Sequence, residues 1–279
     1  MGEMEVPTRA MFGASTQRAV LNFPISGRPV PEAIIYAYAL LKRSAAIANA
    51  KLKLLDSQRS QYIVDACDEI MDALDDPDRA SGMMQHFPID VFQTGSGTST
   101  NMNVNEVVSN IACNATGKKI GSKDPIHPND HVNMGQSSND TFPTAMHIAA
   151  VERIYDHLLP ELTRLRDSMA KKCDEFKGII KIGRTHLMDA TPLTLEQEFS
   201  GYVQQLTNGT ERVNGCLPRL SQIALGGTAV GTGLNSHRDF AIKVAEKIAE
   251  LTRRNFVTAP NKFESLAAHD AVVEASGVM

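Results

Sequence analysis

The chain has 279 residues, and 28 basic against 32 acidic side chains give it a formal net charge of −4. This length predicts one large domain or two ordinary ones, which is enough chain for a hydrophobic core without disulfides or a structural metal. The acidic balance, a pI near 6.1 and an aromatic content of 5% argue against a nucleic-acid partner. The longest strongly apolar stretch, residues 33–41, is shorter than the roughly 20 residues of a membrane span, so no membrane partner is expected.

The first predicted element is a long helix, because apolar residues recur at steps of three and four along residues 31–55. Pro31 falls in its first turn, where proline is tolerated. The same spacing predicts three later helices, at residues 162–176, 195–206 and 240–251. Residues up to about 136 otherwise read as irregular.

Proline and β-branched residues mark the remaining elements. Pro160 is expected to break or kink the helical stretch that follows Thr144. Residues 179–182 are the best candidate for a strand, and another helix is expected to begin at Thr191-Pro192. No βαβ series is apparent, so the pattern predicts a helical bundle.

Four widely spaced cysteines without a CxxC pair predict free thiols in a reducing compartment. The chain opens without the charged and apolar regions of a secretory signal. A cytoplasmic location is therefore expected, and the mitochondrial matrix stays open in case a transit peptide was removed.

Two polar segments lead into predicted helices. Residues 94–100 place two glycines and several hydroxyls ahead of a helix, and Asn103 with Glu106 has the spacing of a capping pair. This segment is either an anion site at a helix start or an ordinary capped turn. Residues 136–140 gather hydroxyls and an amide at a second helix start, where Asp140 is interpreted as a structural cap.

Three further segments hold candidate chemistry. His186 stands in a polar loop, where a histidine either shuttles a proton or is merely polar surface. Residues 126–131 contain two histidines and an aspartate, but Pro128 disturbs zinc-ligand spacing, so a polar turn or an outlying anion contact is favoured over a metal site. The glycine run at residues 226–233 lacks the preceding strand of a dinucleotide fold, so no nucleotide is expected there.

Five motifs occur in one order along the chain: GSGTSTNMNVNEV at 95–107, HPNDHVN at 127–133, QSSNDTFPTAMH at 136–147, KIGRTHLMDATPLTL at 181–195 and ALGGTAVGTGLN at 224–235. Together they resemble the class II fumarase family of the fumarase/aspartase superfamily. The resemblance covers nearly the whole chain. It implies a mainly α, L-aspartase/fumarase-like fold, with an N-terminal mixed helical domain over residues 1–136 and part of a long central helical bundle over residues 137–279.

The resemblance also implies an activity, the reversible hydration of fumarate to (S)-malate, a reaction of the tricarboxylic acid cycle. It implies general acid/base catalysis through an aci-carboxylate intermediate, without metal or organic cofactor. The implied partners are a small dicarboxylate substrate and further copies of the chain, because family active sites combine loops from different subunits of a homotetramer.

Roles for individual residues follow from the same resemblance. It implies that His186 assists proton transfer or activates the water. It implies substrate contacts for Ser96, Gly97, Thr98, Ser137, Ser138, Asn139 and Thr185. It assigns a secondary dicarboxylate site to His127, Pro128, Asn129 and Asp130.

One family motif does not occur in these residues, the later loop GSSxMPxKxN that supplies the base serine and a carboxylate-binding lysine. The chain is therefore expected to be an N-terminal portion that is inactive alone. Aspartate ammonia-lyase activity and a non-catalytic assembly or structural role remain as alternatives. Four local choices favour fumarase over aspartase, namely Ser96, His127, Ser138 and His186.

Overall fold

A computed structural model describes residues 3–279, and within them the chain is mainly α-helical. The α-helices of this part are α1 (Ala14–Asn22), α2 (Glu32–Lys51), α3 (Ser57–Leu74), α4 (Pro77–Met84), α5 (Thr98–Ala115), α6 (Ser138–Arg153), α7 (Leu159–Glu175), α8 (Leu195–Leu220), α9 (Phe240–Thr252), α10 (Lys262–Ala267) and α11 (Asp270–Val278). The strands are β1 (Ile180–Thr185), β2 (Met188–Thr194), β3 (Gln222–Ile223) and β4 (Val257–Thr258). The predicted mainly α fold is confirmed.

The chain forms two compact units. The first contains the chain up to Ala149 together with Ser221–His269, and the second contains Ala150–Leu220 with Asp270–Met279. The chain thus leaves the first unit within α6 and returns to it after α8. The domain boundary expected between residues 136 and 137 stays a prediction.

Helix α2 is the central element of the first unit, where it packs against α3, α5 and α9. Its buried residues include Ile35, Tyr38 and Leu41. A helix that is apolar on nearly all sides has to be buried, and this explains its central place. Helix α5 lies against it although it carries several asparagines, so its buried amides require hydrogen-bond partners.

The chain before residue 136 is more regular than predicted, since α1 to α5 all lie in it. The predicted capping pair is wrong, because α5 begins at Thr98 and both Asn103 and Glu106 lie inside it. The Asn103 side-chain amide donates to the His86 carbonyl at 2.9 Å. The Glu106 carboxylate instead caps α1, which is distant in sequence.

In the second unit α7 packs against α8, and α11 also packs against α8. The hairpin of β1 and β2 connects α7 to α8, and the candidate strand at 179–182 overlaps β1. The predicted helix start at Thr191-Pro192 is wrong, because both residues lie in β2 and α8 begins at Leu195. Pro192 pairs opposite Ile182 in a two-stranded ribbon, where each strand has an open edge that tolerates the missing N–H.

The predicted interruption near Pro160 is present in the structure. Regular α-helical bonding gives way to a π-helical turn over Ile154–Leu158, immediately before α7, whose second residue is Pro160. Among residues 3–279, no helix combines the length and apolar character needed to cross a membrane. The four cysteines are thiols, buried at three positions and half-buried at Cys173.

Candidate functional site

An open cavity of about 410 Å³ lies in the first unit, beside the start of α5 and the segment that leads into α6. Its walls come from three separate parts of the sequence. They are formed by Thr98, Asn101, Met102, Asn133, Gly135, Gln136, Ser137, Ser138, Thr228, Ala229, Val230, Thr232, Leu234 and Asn235. Three of the predicted substrate-binding residues, Thr98, Ser137 and Ser138, are therefore brought together in one wall.

Gly97 makes the turn that exposes the N-terminus of α5. Its φ of +67° lies in the left-handed region, and a Cβ there would lie 2.1 Å from the Phe142 ring. Only glycine fits both restrictions. The Gln93 side-chain oxygen accepts the Thr100 N–H of the first turn at 2.9 Å. This acceptor is neutral and the first turn carries no acidic residue, so this end of the helix keeps its positive character.

A chain of hydroxyls joins the starts of α5 and α6. Ser96 Oγ lies 2.9 Å from Thr98 Oγ1, which lies 2.8 Å from Ser138 Oγ. Ser96 and Thr98 are exposed and Ser138 is half-buried. Hydroxyls that bond mainly to one another can turn their protons toward an incoming anion.

Asp140 ties the start of α6 to the glycine run. Its Oδ1 accepts the Ser137 N–H at 2.9 Å, and its Oδ2 accepts the N–H groups of Gly226 and Thr228 at 3.0 and 2.8 Å. Burial raises the pKa of the Asp140 carboxyl to about 6, while these N–H groups and Lys42 act in the opposite direction. The interpretation of Asp140 as a structural cap is thus confirmed.

The glycine run becomes the second wall of the cavity. Asn139, which does not itself line the cavity, donates its side-chain amide to the Ala229 carbonyl at 2.6 Å. Thr144 Oγ1 accepts the Leu225 N–H at 2.9 Å. These contacts hold residues 225–229 against α6 within the first unit.

Lys42 is the residue at this site that the sequence analysis missed. It is fully buried on α2, and its Nζ donates to side-chain oxygens of Asn101, Asn133 and Gln136 at 2.7, 3.0 and 2.9 Å. Burial lowers the pKa of Lys42 to about 7, against the opposing charge of Asp140. A signal was present in the sequence, because Lys42 lies four residues after the apolar Tyr38 and shares its helix face.

The proposed secondary site forms a π-helical turn, Pro128–Val132, with His127 at its start. His127 Nδ1 accepts the N–H groups of Asn129 and Asp130, both at 3.2 Å. The same ring nitrogen lies 3.3 Å from Asp130 Oδ2. Pro128 is buried, whereas Asn129 and Asp130 are exposed.

Metal binding finds no support at this turn. The His131 ring is also occupied locally, because its Nδ1 accepts the His127 N–H at 2.8 Å. Burial foremost lowers the pKa of His131. Within the part of the chain that the structure describes, no group of three or more His, Cys, Asp or Glu side chains could hold a metal ion.

Thr185 and His186 belong to the second unit, on the hairpin. Thr185 pairs with Met188, so His186 and Leu187 form a two-residue turn with φ of 53° and 63°. Such turns normally carry asparagine or glycine, and other residues are strained there. The His186 side chain is exposed to solvent.

Comparison with known proteins agrees with this fold. A profile of a family described as "Lyase" matches residues 2–279. The chain belongs to this lyase family. It is 56% identical over its whole length to a mitochondrial fumarate hydratase of Rhizopus oryzae and 54% identical to a class II fumarate hydratase of Nitrosomonas europaea, covering 55% and 59% of those proteins.

A solved structure places the chain on the same branch of the lyase family. The crystal structure of a class II fumarase from Schistosoma mansoni superposes with a TM-score of 0.93 at 40% identity, over 99% of this chain and 60% of that one. The resemblance to class II fumarases is thus confirmed. The chain spans somewhat more than half the length of the relatives it matches.

Proposed function

We propose that the whole protein hydrates fumarate reversibly to (S)-malate and that the first unit of this chain supplies a carboxylate-binding wall of its active site. The observation that carries the proposal is the hydroxyl chain from Ser96 through Thr98 to Ser138 at the N-terminus of α5, whose first turn carries no acidic side chain. A helix N-terminus with nearby hydroxyls is a favourable place for a carboxylate. Relatives named fumarate hydratase, 54–56% identical, support the choice of substrate.

The chemistry of the reaction fits such a wall. In the dehydration direction a base removes the proton beside a carboxylate, and negative charge develops on that carboxylate's oxygens as an aci-carboxylate. The hydroxide then leaves from the neighbouring carbon with a proton from an acid, so fumarate and water are formed. Donors fixed in advance around the developing charge stabilise it without reorganising.

Each predicted substrate-binding residue has a role in this proposal. Hydroxyls and the N-terminus of α5 receive one carboxylate, through Ser96, Gly97 and Thr98. The start of α6 contributes further donors, through Ser137, Ser138 and Asn139, and Thr185 contributes one from the hairpin. Neutral donors suit a charge that appears during the reaction and disappears again.

His186 is proposed to assist proton transfer or to activate the water. Its imidazole is exposed at the tip of a strained two-residue turn. Backbone strain of this kind is tolerated mainly at functional positions. We expect His186→Asn in the whole protein to lower kcat by about 100-fold or more, on the usual scale of acid/base catalysis. An unchanged kcat in a variant with wild-type circular dichroism would remove His186 from the mechanism.

Homotetramer formation is proposed from the apolar surface of the hairpin. Ile180, Leu187 and Met188 are 75%, 89% and 70% exposed. Apolar side chains grouped this way usually become covered by another protein surface. Analytical ultracentrifugation of the whole protein tests this, and a strict monomer at high micromolar concentration would contradict it.

The secondary dicarboxylate site at His127, Pro128, Asn129 and Asp130 remains a proposal, as does the cytoplasmic location with the mitochondrial matrix as its alternative. The curated relatives include proteins named mitochondrial fumarate hydratase. Neither proposal is needed for the reaction chemistry above.

The deciding experiment follows the ultraviolet absorbance of the conjugated double bond in fumarate. We expect turnover by the whole protein and none by these 279 residues alone, which do not contain the GSSxMPxKxN motif. Turnover by the isolated chain would overturn its proposed inactivity. Ammonia release from aspartate, measured in parallel, would instead favour the ammonia-lyase alternative.

A further inference from the structure

We propose that Lys42 is a positioning residue that fixes the orientation of three amide side chains in the cavity wall and thereby the geometry of the carboxylate-binding hydroxyls. The inference rests on the proposed function for the identity of the bound anion. Its structural part concerns the amides themselves and stands without a ligand.

The contacts of Lys42 use the full donor capacity of its ammonium group. Its three protons meet three amide oxygens, at Asn101, Asn133 and Gln136, over 2.7 to 3.0 Å. All three acceptors line the cavity. The charge therefore stands directly behind the wall, and neutral dipoles separate it from the cavity.

A buried cation favours the orientation in which each amide turns its oxygen toward it. With the oxygens turned to Lys42, Asn101 Nδ2 donates to Asn133 Oδ1 at 3.1 Å, and Asn133 Nδ2 donates to the Gln136 carbonyl at 3.2 Å. An amide has a donor and an acceptor of nearly the same shape, so only its partners choose between two orientations. Gln136 Nε2 also donates to the Val132 and Met134 carbonyls at 3.0 and 3.2 Å, so loss of the ammonium group is expected to weaken the preference for this orientation.

The amides that Lys42 holds lie in α5 and in the segment that leads into α6, the two helices that carry the hydroxyls. Asn101 follows Thr98 by three residues on α5, and Gln136 precedes Ser138 by two at the start of α6. Lys42 thus joins these elements from behind, while the 2.8 Å contact of Thr98 Oγ1 with Ser138 Oγ joins them at the surface. Loss of the ammonium group is expected to loosen this second contact.

Burial alone would favour an uncharged residue at this position. Replacing a buried charge by an apolar side chain is often neutral or stabilising when its partners are replaced as well. Here the partners are neutral amides, and the carboxylate of Asp140 contributes to the field without a direct hydrogen bond to Nζ. The arrangement is therefore better explained by a role in ordering the wall than by stability.

The test compares Lys42→Met with Lys51→Met in the 279-residue chain. Methionine is about as long as lysine and uncharged, and Lys51 is exposed at the C-terminal end of the same helix. The first readout is the side-chain amide ¹⁵N–¹H spectrum of Asn101, Asn133 and Gln136 without ligand. We expect these signals to shift and exchange faster with water in Lys42→Met and to be unchanged in Lys51→Met.

The second readout is a fumarate titration, followed on the backbone amides of Thr98 and Ser138 at matched ionic strength. We expect the dissociation constant to rise by about 10-fold or more in Lys42→Met, because a misoriented amide wall loses at least one good hydrogen bond. An equal dissociation constant in both variants, or unshifted amide signals in a folded Lys42→Met, would overturn the inference.

The two proposals fail separately in this design. If the wild-type chain does not bind fumarate, the proposed function of this wall fails, and the ligand-free amide spectrum still decides the role of Lys42. If Lys42→Met does not fold, the ¹⁵Nζ signal of Lys42 in the wild-type chain decides whether Lys42 is a positioning residue. A shift of that signal together with the Asn101 and Gln136 amides on adding fumarate supports positioning, and a static Nζ signal while Thr98 responds contradicts it.

Discussion

The N-termini of α1 and α5 present the same chemistry to different partners. At α1 the Glu106 carboxylate accepts the N–H groups of Gly13, Ser15 and Thr16 at 2.9, 2.9 and 3.1 Å, and the Thr16 hydroxyl at 2.6 Å. At α5 no acidic side chain occupies the first turn, and hydroxyls border an open cavity instead. One helix start is closed by a carboxylate from the chain itself, and the other has only the neutral Gln93 amide on its Thr100 N–H and borders an open cavity.

The difference shows that the positive N-terminus of a helix can serve either stability or binding. A helix start attracts a carboxylate in both places. Where the chain supplies the carboxylate, the group is buried and structural, as Glu106 is. Where the chain supplies glycine and hydroxyls, as at Gly97 and Thr98, the same attraction is available to a ligand. Helix α5 takes part in both, since Glu106 lies within it.

The largest effect on stability is expected at the open end, from Gly97→Ala. The added Cβ would lie 2.1 Å from the Phe142 ring, and the alanine would have to adopt the positive φ of Gly97. We expect a loss of about 3–4 kcal/mol in the free energy of unfolding, measured with urea. Gly95→Ala is the matched control, because a Cβ there meets nothing within 4 Å. Equal stability of the two variants would show that the turn at Gly97 is not restricted.

At the closed end, Glu106→Gln is expected to cost about 2–3 kcal/mol, because one amide oxygen cannot replace a carboxylate that accepts four hydrogen bonds. Urea unfolding measures the change. Glu69→Gln, on an exposed position of α3, serves as the control and is expected to have little effect. Fumarate affinity should be unchanged in a folded Glu106→Gln, and a large loss would mean that the two helix ends are not separable.

Asp90, like Glu106 and Asp140, is a carboxylate that accepts backbone N–H groups. Its contribution to stability can be tested by changing the pH. The N–H of Phe92 foremost, with those of Ser26 and Gly27, lowers the pKa of the Asp90 carboxyl to about 2. The unfolded chain then binds more protons between about pH 4 and pH 2, so the stability from Asp90 is present above about pH 4 and declines as the pH falls.

The measurement for Asp90 is the urea midpoint of the wild type and of Asp90→Asn from pH 7 to pH 3. We expect a constant gap between the two midpoints above about pH 5 and a narrowing gap below about pH 4. A gap that stays constant down to pH 3 would contradict the assignment of the lowered pKa to this carboxylate.

The smallest effect on stability is expected from Thr98→Val, which removes a hydroxyl at an exposed position while keeping the shape of the side chain. The free energy of unfolding should change by less than about 0.5 kcal/mol. The dissociation constant for fumarate should rise about 5- to 10-fold, the value of one hydrogen bond. Thr116→Val, at the opposite end of α5, should leave that constant unaltered.

Sequence periodicity predicted α2, α7, α8 and α9, because the apolar repeat of a helix is local in the sequence, whereas periodicity did not predict α1, α3, α4 and α5. The face of α2 repeats every three or four residues, and this is visible without any partner. The hairpin was only partly predicted, since Thr191-Pro192 resembles a helix start unless the pairing of Pro192 with Ile182 is known. Helix and strand cannot be told apart from such short segments alone.

The candidate site also has a part that could be predicted from the sequence and a part that could not. The positions of Gly97, Thr98 and Ser138 at helix starts could be predicted, because glycine and hydroxyls before a helix have a local meaning. Their substrate contacts were predicted from the family resemblance and stay a prediction. The partners of Glu106 could not, because they lie about 90 residues away and the local spacing to Asn103 suggested a different cap. The burial of Lys42 was signalled by its place on the apolar face of α2, but its three acceptors could not be predicted, because other segments contribute them.

The contacts of Asp140 also determine when, during synthesis of the chain, the cavity can form. Its donors at Gly226 and Thr228 follow it by 86 and 88 residues. At about 5–20 residues per second, a ribosome needs roughly 4–18 s to synthesise that interval. During this time the nascent chain already contains α5 and the start of α6, but it lacks the second wall of the cavity. The second wall of the cavity is therefore added only after α6, α7 and α8 have been synthesised, and a chain released before residue 228 would carry both helix starts without it.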